Sequence, residues 1–351
     1  MDSNILVAPL NWGLGHATRC VPIINALEAN GYTPILASDG EALALLQKEF
    51  PHLESLELPS YEIEYAKDGA DFKWKMLKNM PKMMDAIRNE KKIVKKWVKE
   101  FNIIGIISDN RLGVFSKKVP SVFITHQLNV LTGNTTWITS KLHQHIIKKY
   151  DECWVPDYDE APNLTGKLGH LKTPMKHIRY IGPLSRFEKQ ELPLRYDLMI
   201  VLSGPEPQRS ILETQLRELL FDYSGKAVFV CGKVGLQQSK IEIENVTYYN
   251  FMTTTQLEKT FNESKTVLCR SGYTTVMDLV KLGKKAFFIP TPGQYEQEYL
   301  AKRLQKNGYF PFAEQDDFRL EDLEKIDSYK SWEREQNQVH WKNLFCLFEK
   351  K

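Results

Sequence analysis

Apolar residues follow two alternating rhythms along this chain. Short continuous runs, Asn4 to Ala8, Thr33 to Ala37, Ile103 to Ser108 and Ser121 to Thr125, stop at polar or glycine-bearing turns. Longer stretches, the first from about Ala17 to Asn30, place apolar residues at helical spacing. The same grammar returns with runs at Asp197 to Leu202, Ala227 to Val230 and Val246 to Tyr249 and a helical stretch at Thr254 to Phe261. It is most complete from Thr266 to Gly308. There a run to Cys269 breaks at Arg270-Ser271-Gly272, a helical stretch from Tyr273 to Leu282 stops at Gly283, and a second run, Ala286 to Ile289, ends at Pro290 before a loop and a helix beginning near Glu296. Strand, turn, helix, strand is the parallel βαβ unit, so the pattern predicts an α/β fold of doubly wound, Rossmann-like sheets.

Size divides that pattern in two. A chain of 351 residues, 42% of them hydrophobic, exceeds what one core usually holds. The runs place an N-terminal domain at 1–184, a polar linker at 185–195, a C-terminal domain at 196–330, and an amphipathic, helix-length tail at 331–351 carrying Trp332, Val339, Trp341, Leu344 and Phe348. No apolar run approaches the roughly 20 residues of a membrane span, and no basic-then-apolar leader is present, so the expected location is the cytoplasm. Cys20, Cys153, Cys231, Cys269 and Cys346 are scattered, without a CxxC pair, and read as reduced thiols.

The candidate chemistry sits at the turns. Strand-to-helix turns offer backbone N–H groups and a positive dipole end to an anion. The first, Pro9-Leu10-Asn11-Trp12-Gly13-Leu14-Gly15-His16, also carries an imidazole able to take a proton near neutral pH. A dinucleotide reading has Asp39 as its ribose acid, but Thr18 stands where the third glycine of GxGxxG belongs and His16 crowds the pyrophosphate position. The competing structural role for His16 is capping the first helix. Asp109 and His126 end two further runs, where parallel sheets line their ligand crevice. They are acceptor-side candidates, with strand-end capping as the alternative. Trp154-Val155-Pro156-Asp157-Tyr158-Asp159 contains a DxD, read as a strand end capping a turn, and no metal site is expected.

The stretch from Arg270 to Glu298 resembles the donor-binding half of MurG-type glycosyltransferases, through Arg270-Ser271-Gly272, the acid Asp278, Gly283, the strand ending in Pro290, and Gln297-Glu298. The loop Gly13, Gly15, His16, Arg19 resembles the first glycine loop of the same GT-B superfamily, and equally the GHxxRC loop of the UDP-sugar hydrolase of pseudaminic acid synthesis. The resemblance implies a GT-B fold, two Rossmann-like domains facing across a cleft, with the tail helix packing back on the first. It implies a metal-independent inverting transferase that takes no cofactor and moves N-acetylglucosamine or a related hexose from a UDP-sugar to a hydroxyl acceptor.

His16, Asp109 and His126 would serve catalysis. Donor contacts would come from Gly13, Gly15, Ser203, Gly204, Arg209, Phe251, Met252, Arg270, Ser271, Gly272, Thr275, Asp278, Gln294, Gln297 and Glu298. Phe251 lies at the family's uracil-stacking position, with a core role as the alternative. Asp278 stands where the family usually has Glu, Glu298 where it has a second Gln, and Lys285 where it has Pro. The hydrolase and a non-catalytic nucleotide-sugar sensor are the rival readings.

One segment departs from the rest in charge. Lys67 to Lys99 holds eleven Lys/Arg against four Asp/Glu, a local +7 in a chain of +3, which leaves −4 for the remainder. Phe72, Trp74, Met76, Met80, Met83, Met84, Ile87, Val94 and Trp97 interleave with the charges. The stretch reads as a helix pair that either rests on anionic lipid at the inner face of the membrane, where a lipid-linked acceptor would be presented, or wraps the first sheet with a solvated basic face. It has the charge for nucleic acid but no recognised motif, so no nucleic-acid partner is expected.

Overall fold

The computed structural model describes residues 3–61, 69–131, 136–233, 235, 237–333 and 339–349, and of 69–80 the backbone alone. Two compact units result, one gathering residues 3–61, 73–186 and 339–349, the other 69–72 and 187–333.

The first unit runs β1 (Asn4–Pro9), α1 (Gly15–Ala29), β2 (Thr33–Ser38), α2 (Gly40–Glu49), β3 (Ser55–Glu57), α3 (Gly69–Glu100), β4 (Ile103–Asp109), β5 (Ser121–Ile124), α4 (Thr136–Ile147), β6 (Glu152–Val155) and β7 (Ile178–Tyr180). Its seven strands pair in the order β3-β2-β1-β4-β5-β6-β7, all parallel. Because the sheet is covered on both faces, its strands are continuous apolar runs: Ile5, Leu6, Val7 and Ala8 are wholly buried.

The second unit repeats the plan with β8 (Tyr196–Val201), α5 (Gln208–Leu219), β9 (Ala227–Val230), β10 (Lys240–Ile243), β11 (Val246–Tyr249), α6 (Thr254–Asn262), β12 (Ser264–Cys269), α7 (Tyr273–Leu282), β13 (Lys285–Phe288) and α8 (Tyr295–Lys306). The order is β10-β11-β9-β8-β12-β13, parallel except for the β10–β11 hairpin. The pattern missed β10, all four of whose residues are exposed, since an edge strand with no buried face leaves no apolar run.

Two expectations need correction. The basic segment is the single helix α3 rather than a helix pair, with Pro81 inside it. Met83, Ile87, Val94, Trp97 and Val98 pack toward the core of the first unit, while Met84 is exposed. The side chains of Phe72, Trp74, Met76 and Met80 lie outside the described residues. Nor is the tail one helix. Among the described residues only α9 (Trp341–Phe345) and the following turn at Cys346–Phe348 are helical, and Trp332 instead packs on Tyr309 in the second unit, ring centroids 4.5 Å apart. Phe345 and Phe348 lie against Tyr32 and Trp154, and a Cβ on Gly105 would come within 2.3 Å of Phe348.

Candidate active site

In each sheet the strand order reverses beside the first strand, between β1 and β4 and between β8 and β12, and ligands of such sheets bind at the carboxyl ends of these strands. The loop leaving β1 turns at Gly13, whose φ of 68° favours glycine, and delivers the chain into α1. Leu14 occupies the cap position without a side-chain bond, so His16 does not cap its own helix. Its Nδ1 instead meets Oδ1 of Asp109, the last residue of β4, at 2.9 Å.

Arg19, one turn further along α1, lies on the same helix face. Its guanidinium grips both oxygens of Asp109 from Nε and Nη2, while Nη2 lies 2.8 Å from His16 Nδ1 and Nη1 3.1 Å from His126 Nδ1. The Cys20 thiol adds a weak donor to Asp109 at 3.7 Å. His16, Asp109 and His126, from three different strand ends, are thus brought into one cluster by Arg19. Asp109 is wholly buried, which corrects its assignment as an acceptor contact: it acts through the groups it bonds, His16 and Arg19.

The electrostatics follow from burial. Burial alone would raise the Asp109 carboxyl, but the Arg19 guanidinium and then His16 outweigh it and hold it well below the usual carboxylate range. His16 is lowered, first by burial and then by Arg19, against the opposing pull of Asp109. A neutral imidazole with Nδ1–H on a carboxylate has its Nε2 lone pair free to receive a proton.

Behind this cluster lies a second buried charge network. Arg111 donates to Asp39 at 2.7 Å, to Glu90 at 2.7 Å and to the Pro59 carbonyl at 2.6 Å. Asp39 also receives Asn11 Nδ2 at 3.2 Å, so it is held by its neighbours rather than presented to a ribose. Asp157 of the DxD accepts from the N–H groups of Tyr158, Leu164 and Thr165 and from the Thr165 hydroxyl, which makes it the cap of a turn.

The second unit gathers its candidates differently. Arg270 is almost fully buried and donates to the carbonyls of Ile289 at 3.1 Å, Pro290 at 3.1 Å and Gln208 at 2.9 Å, and to Gln315 Oε1 at 2.7 Å. Arg209 is held by Glu206, Glu213 and the Cys231 carbonyl. Neither guanidinium reaches outward, which corrects their assignment as donor contacts: both fix the shape of the loops.

Ser271 donates its hydroxyl to the Gln297 carbonyl at 2.8 Å, Gln297 Oε1 accepts from Thr291 N at 2.9 Å and its Nε2 donates to Gln294 at 2.6 Å, and Glu298 accepts from Gly293 N at 2.9 Å. These bonds join the turn after β12 to the turn after β13. What remains presented are Ser203 and Gly204, both exposed, with Gly204 at φ 105°; the N-terminus of α7 at Gly272, which no side chain caps and beside which a Cβ would meet nothing within 4 Å; and half-buried Thr275, Asp278, Phe251 and Met252. Phe251 is thus neither fully in the core nor fully exposed.

Residues 207–338 match the profile of the glycosyltransferase family 28 C-terminal domain. Over 246 residues the chain is 25% identical to the UDP-N-acetylglucosamine–N-acetylmuramyl-(pentapeptide) pyrophosphoryl-undecaprenol N-acetylglucosamine transferase of Buchnera aphidicola subsp. Schizaphis graminum, an overlap of 67% of this chain and 65% of that one. It is also 25% identical, over 85% of its length and 82% of the relative's, to an uncharacterised glycosyltransferase of Methanosarcina acetivorans. The crystal structure of MurG from Acinetobacter baumannii superposes with a TM-score of 0.55 at 14% identity, covering 92% of this chain and 89% of that one. The chain is MurG-like and has the GT-B fold of glycosyltransferases. The family 28 match spans the second unit from the start of α5, so the Arg270, Gln297 and Asp278 turns all fall inside the matched region.

Arg19 and Arg111 were not among the residues predicted for the site. The i, i+3 spacing of His16 and Arg19 already places them on one helix face, and that is the signal by which Arg19 could have been found.

Proposed function

We propose that the chain is a metal-independent inverting glycosyltransferase that moves N-acetylglucosamine or a related hexose from a UDP-sugar to a hydroxyl acceptor. The observation that carries this reading is the His16–Asp109 pair at the switch point of a sheet whose companion domain matches family 28. The second domain binds the donor, with the α7 N-terminus and the Ser203-Gly204 loop toward the diphosphate, Asp278 on the ribose hydroxyls, Phe251 beside the base, and Gln297-Glu298 shaping the sugar end.

The first domain supplies the base. His16 Nε2 takes the proton of the acceptor O–H as that oxygen bonds to the anomeric carbon, and the bond from that carbon to the phosphate oxygen breaks with its electron pair leaving on UDP. Helix dipole and backbone N–H groups, preorganised by the buried arginines, stabilise the departing charge.

Thermal shift against UDP, GDP, dTDP and NAD is the first test, with UDP stabilising by mass action. A response to NAD and none to UDP overturns the reading. Turnover then separates the two enzymes that share the GHxxRC loop: a transferase releases UDP slowly until an acceptor fraction is added, whereas a hydrolase releases it rapidly in water alone.

A lipid-linked acceptor at the cytoplasmic face is part of the proposal. The support is the exposed row Lys91, Lys92, Lys95, Lys96 and Lys99 on α3, each basic group near an anionic surface adding about 1 kcal/mol. Flotation with anionic vesicles at low salt and none at high salt is expected; no flotation at low salt favours a water-soluble acceptor.

A further inference from the structure

A guanidinium can only donate hydrogen bonds, and Arg19 faces two imidazoles. The His126 nitrogen 3.1 Å from Arg19 Nη1 is Nδ1, which must therefore carry the lone pair, so the ring proton resides on Nε2. At His16 the same guanidinium and a carboxylate both address Nδ1, at 2.8 and 2.9 Å. If Asp109 wins, Nδ1 is protonated and Nε2 holds the lone pair. If Arg19 wins, the proton moves to Nε2 and the ring cannot act as a base there. Asp109 also receives Arg19 on both its oxygens, so the Nη2 proton has a charged acceptor available and Nδ1–H is left to Asp109.

We infer that Arg19 is a positioning residue whose fork fixes the tautomer of His126, making it a donor at Nε2, and which, by spending its Nη2 proton on Asp109, leaves that carboxylate to hold His16 as a base at Nε2. The tautomers follow from the hydrogen bonds alone; their catalytic consequence rests on the transferase reading. Arg19 itself touches neither donor nor acceptor in this scheme. The charged and titratable groups around His16 are Arg19 on its own helix, Asp109 on β4 and His126 after β5, while Cys20 also faces Asp109 and His143 of α4 faces His126. Arg19 disfavours the imidazolium of His16 and Asp109 favours it. Removing the charge of Arg19 therefore leaves Asp109 unopposed, and His16 should take up its proton at higher pH.

Histidine-selective nitrogen-15 labelling of the full chain, which has eight histidines, reads each tautomer directly by long-range proton–nitrogen correlation. Wild type should show His16 as Nδ1–H and His126 as Nε2–H. Arg19→Gln should give averaged signals for His126, a His16 that titrates at higher pH, and an acid limb of kcat/KM displaced the same way. Its kcat should fall by at least about tenfold with KM nearly unchanged. Arg19→Lys keeps the charge and loses the fork, so the acid limb should stay in place while the His126 tautomer is lost; this variant carries the test if Arg19→Gln does not fold. An unchanged His126 tautomer in Arg19→Lys overturns the inference. Wild-type tautomers as stated, in a protein that releases no UDP from any UDP-sugar, would overturn the transferase reading and leave the inference standing.

Discussion

Arg19 and Arg270 are both buried, both stand at a switch point, and have opposite partners. Arg19 bonds to ionisable groups, a carboxylate and two imidazoles, whereas Arg270 bonds to three carbonyls and an amide oxygen. Partners that titrate make the first cluster a chemical device whose state depends on protons. Partners that cannot titrate make the second a brace that keeps two loops in one shape for a ligand to meet. Burial costs each charge its hydration, and burial pulls Arg270 down to about 10 with no carboxylate among its partners to oppose it. One fold, repeated, thus uses the same residue type once for reactivity and once for form.

Asp109→Asn breaks the first half of this contrast most severely. It keeps the shape but removes the acceptor that holds the His16 proton on Nδ1, so turnover should fall about 10³- to 10⁴-fold in steady-state assays. It also leaves Arg19 buried without its countercharge, at a cost of about 3–5 kcal/mol in urea unfolding. The pH dependence has a definite sign. The folded carboxyl is lowered, so its contribution is complete above the ordinary carboxylate range near pH 4 and is lost as pH falls toward the folded value. Stability against pH below about 4 should therefore be flatter in the variant than in wild type.

Arg270→Met attacks the other half. Several buried acceptors lose their donor, and the second unit should be destabilised by about 3 kcal/mol, read by urea unfolding. The acid limb of kcat/KM should not move, since no proton equilibrium is involved. A displaced limb would show that the brace and the base are not separate devices.

The legible part of this molecule was whatever depends on local order. Buried parallel strands are continuous apolar runs, which exposed both sheets; the glycine turns and the GHxxR spacing exposed where the chemistry lies. What a side chain does after burial depends on residues far away in sequence. The i, i+4 spacing of Arg209 and Glu213 already signals a helix pair, whereas nothing local reveals that Gln315 and the Pro290 carbonyl claim Arg270, which the resemblance makes a donor contact. Asp109 was visible as a strand-end acid, but its partner Arg19 lies ninety residues upstream. The α3 segment misled for a different reason: its charge pattern describes a solvated face and is silent about how many helices carry it.

A smaller effect probes the presented groups. Asp278→Ala should weaken UDP binding by about 1–3 kcal/mol, measured calorimetrically, by leaving ribose hydroxyls without their acceptor. Unchanged UDP affinity would remove Asp278 from the donor site. The smallest perturbation in the set is Gly105→Ala, which presses on Phe348 and Ile5 and should cost the first unit about 1–2 kcal/mol in urea unfolding without altering the affinity for UDP.

That last contact bears on the order of events at the ribosome. Phe345 and Phe348 fill a space bounded by Tyr32, Gly105 and Trp154, residues translated long before them, and the strands and helices of the second unit from β8 to α8 are translated in between. The nascent first unit must wait with that part of its interior open while the second can already close around its own strands. A released chain truncated after residue 333 should therefore hold a finished second unit and an unfinished first, reversing the usual expectation that what is made first folds first.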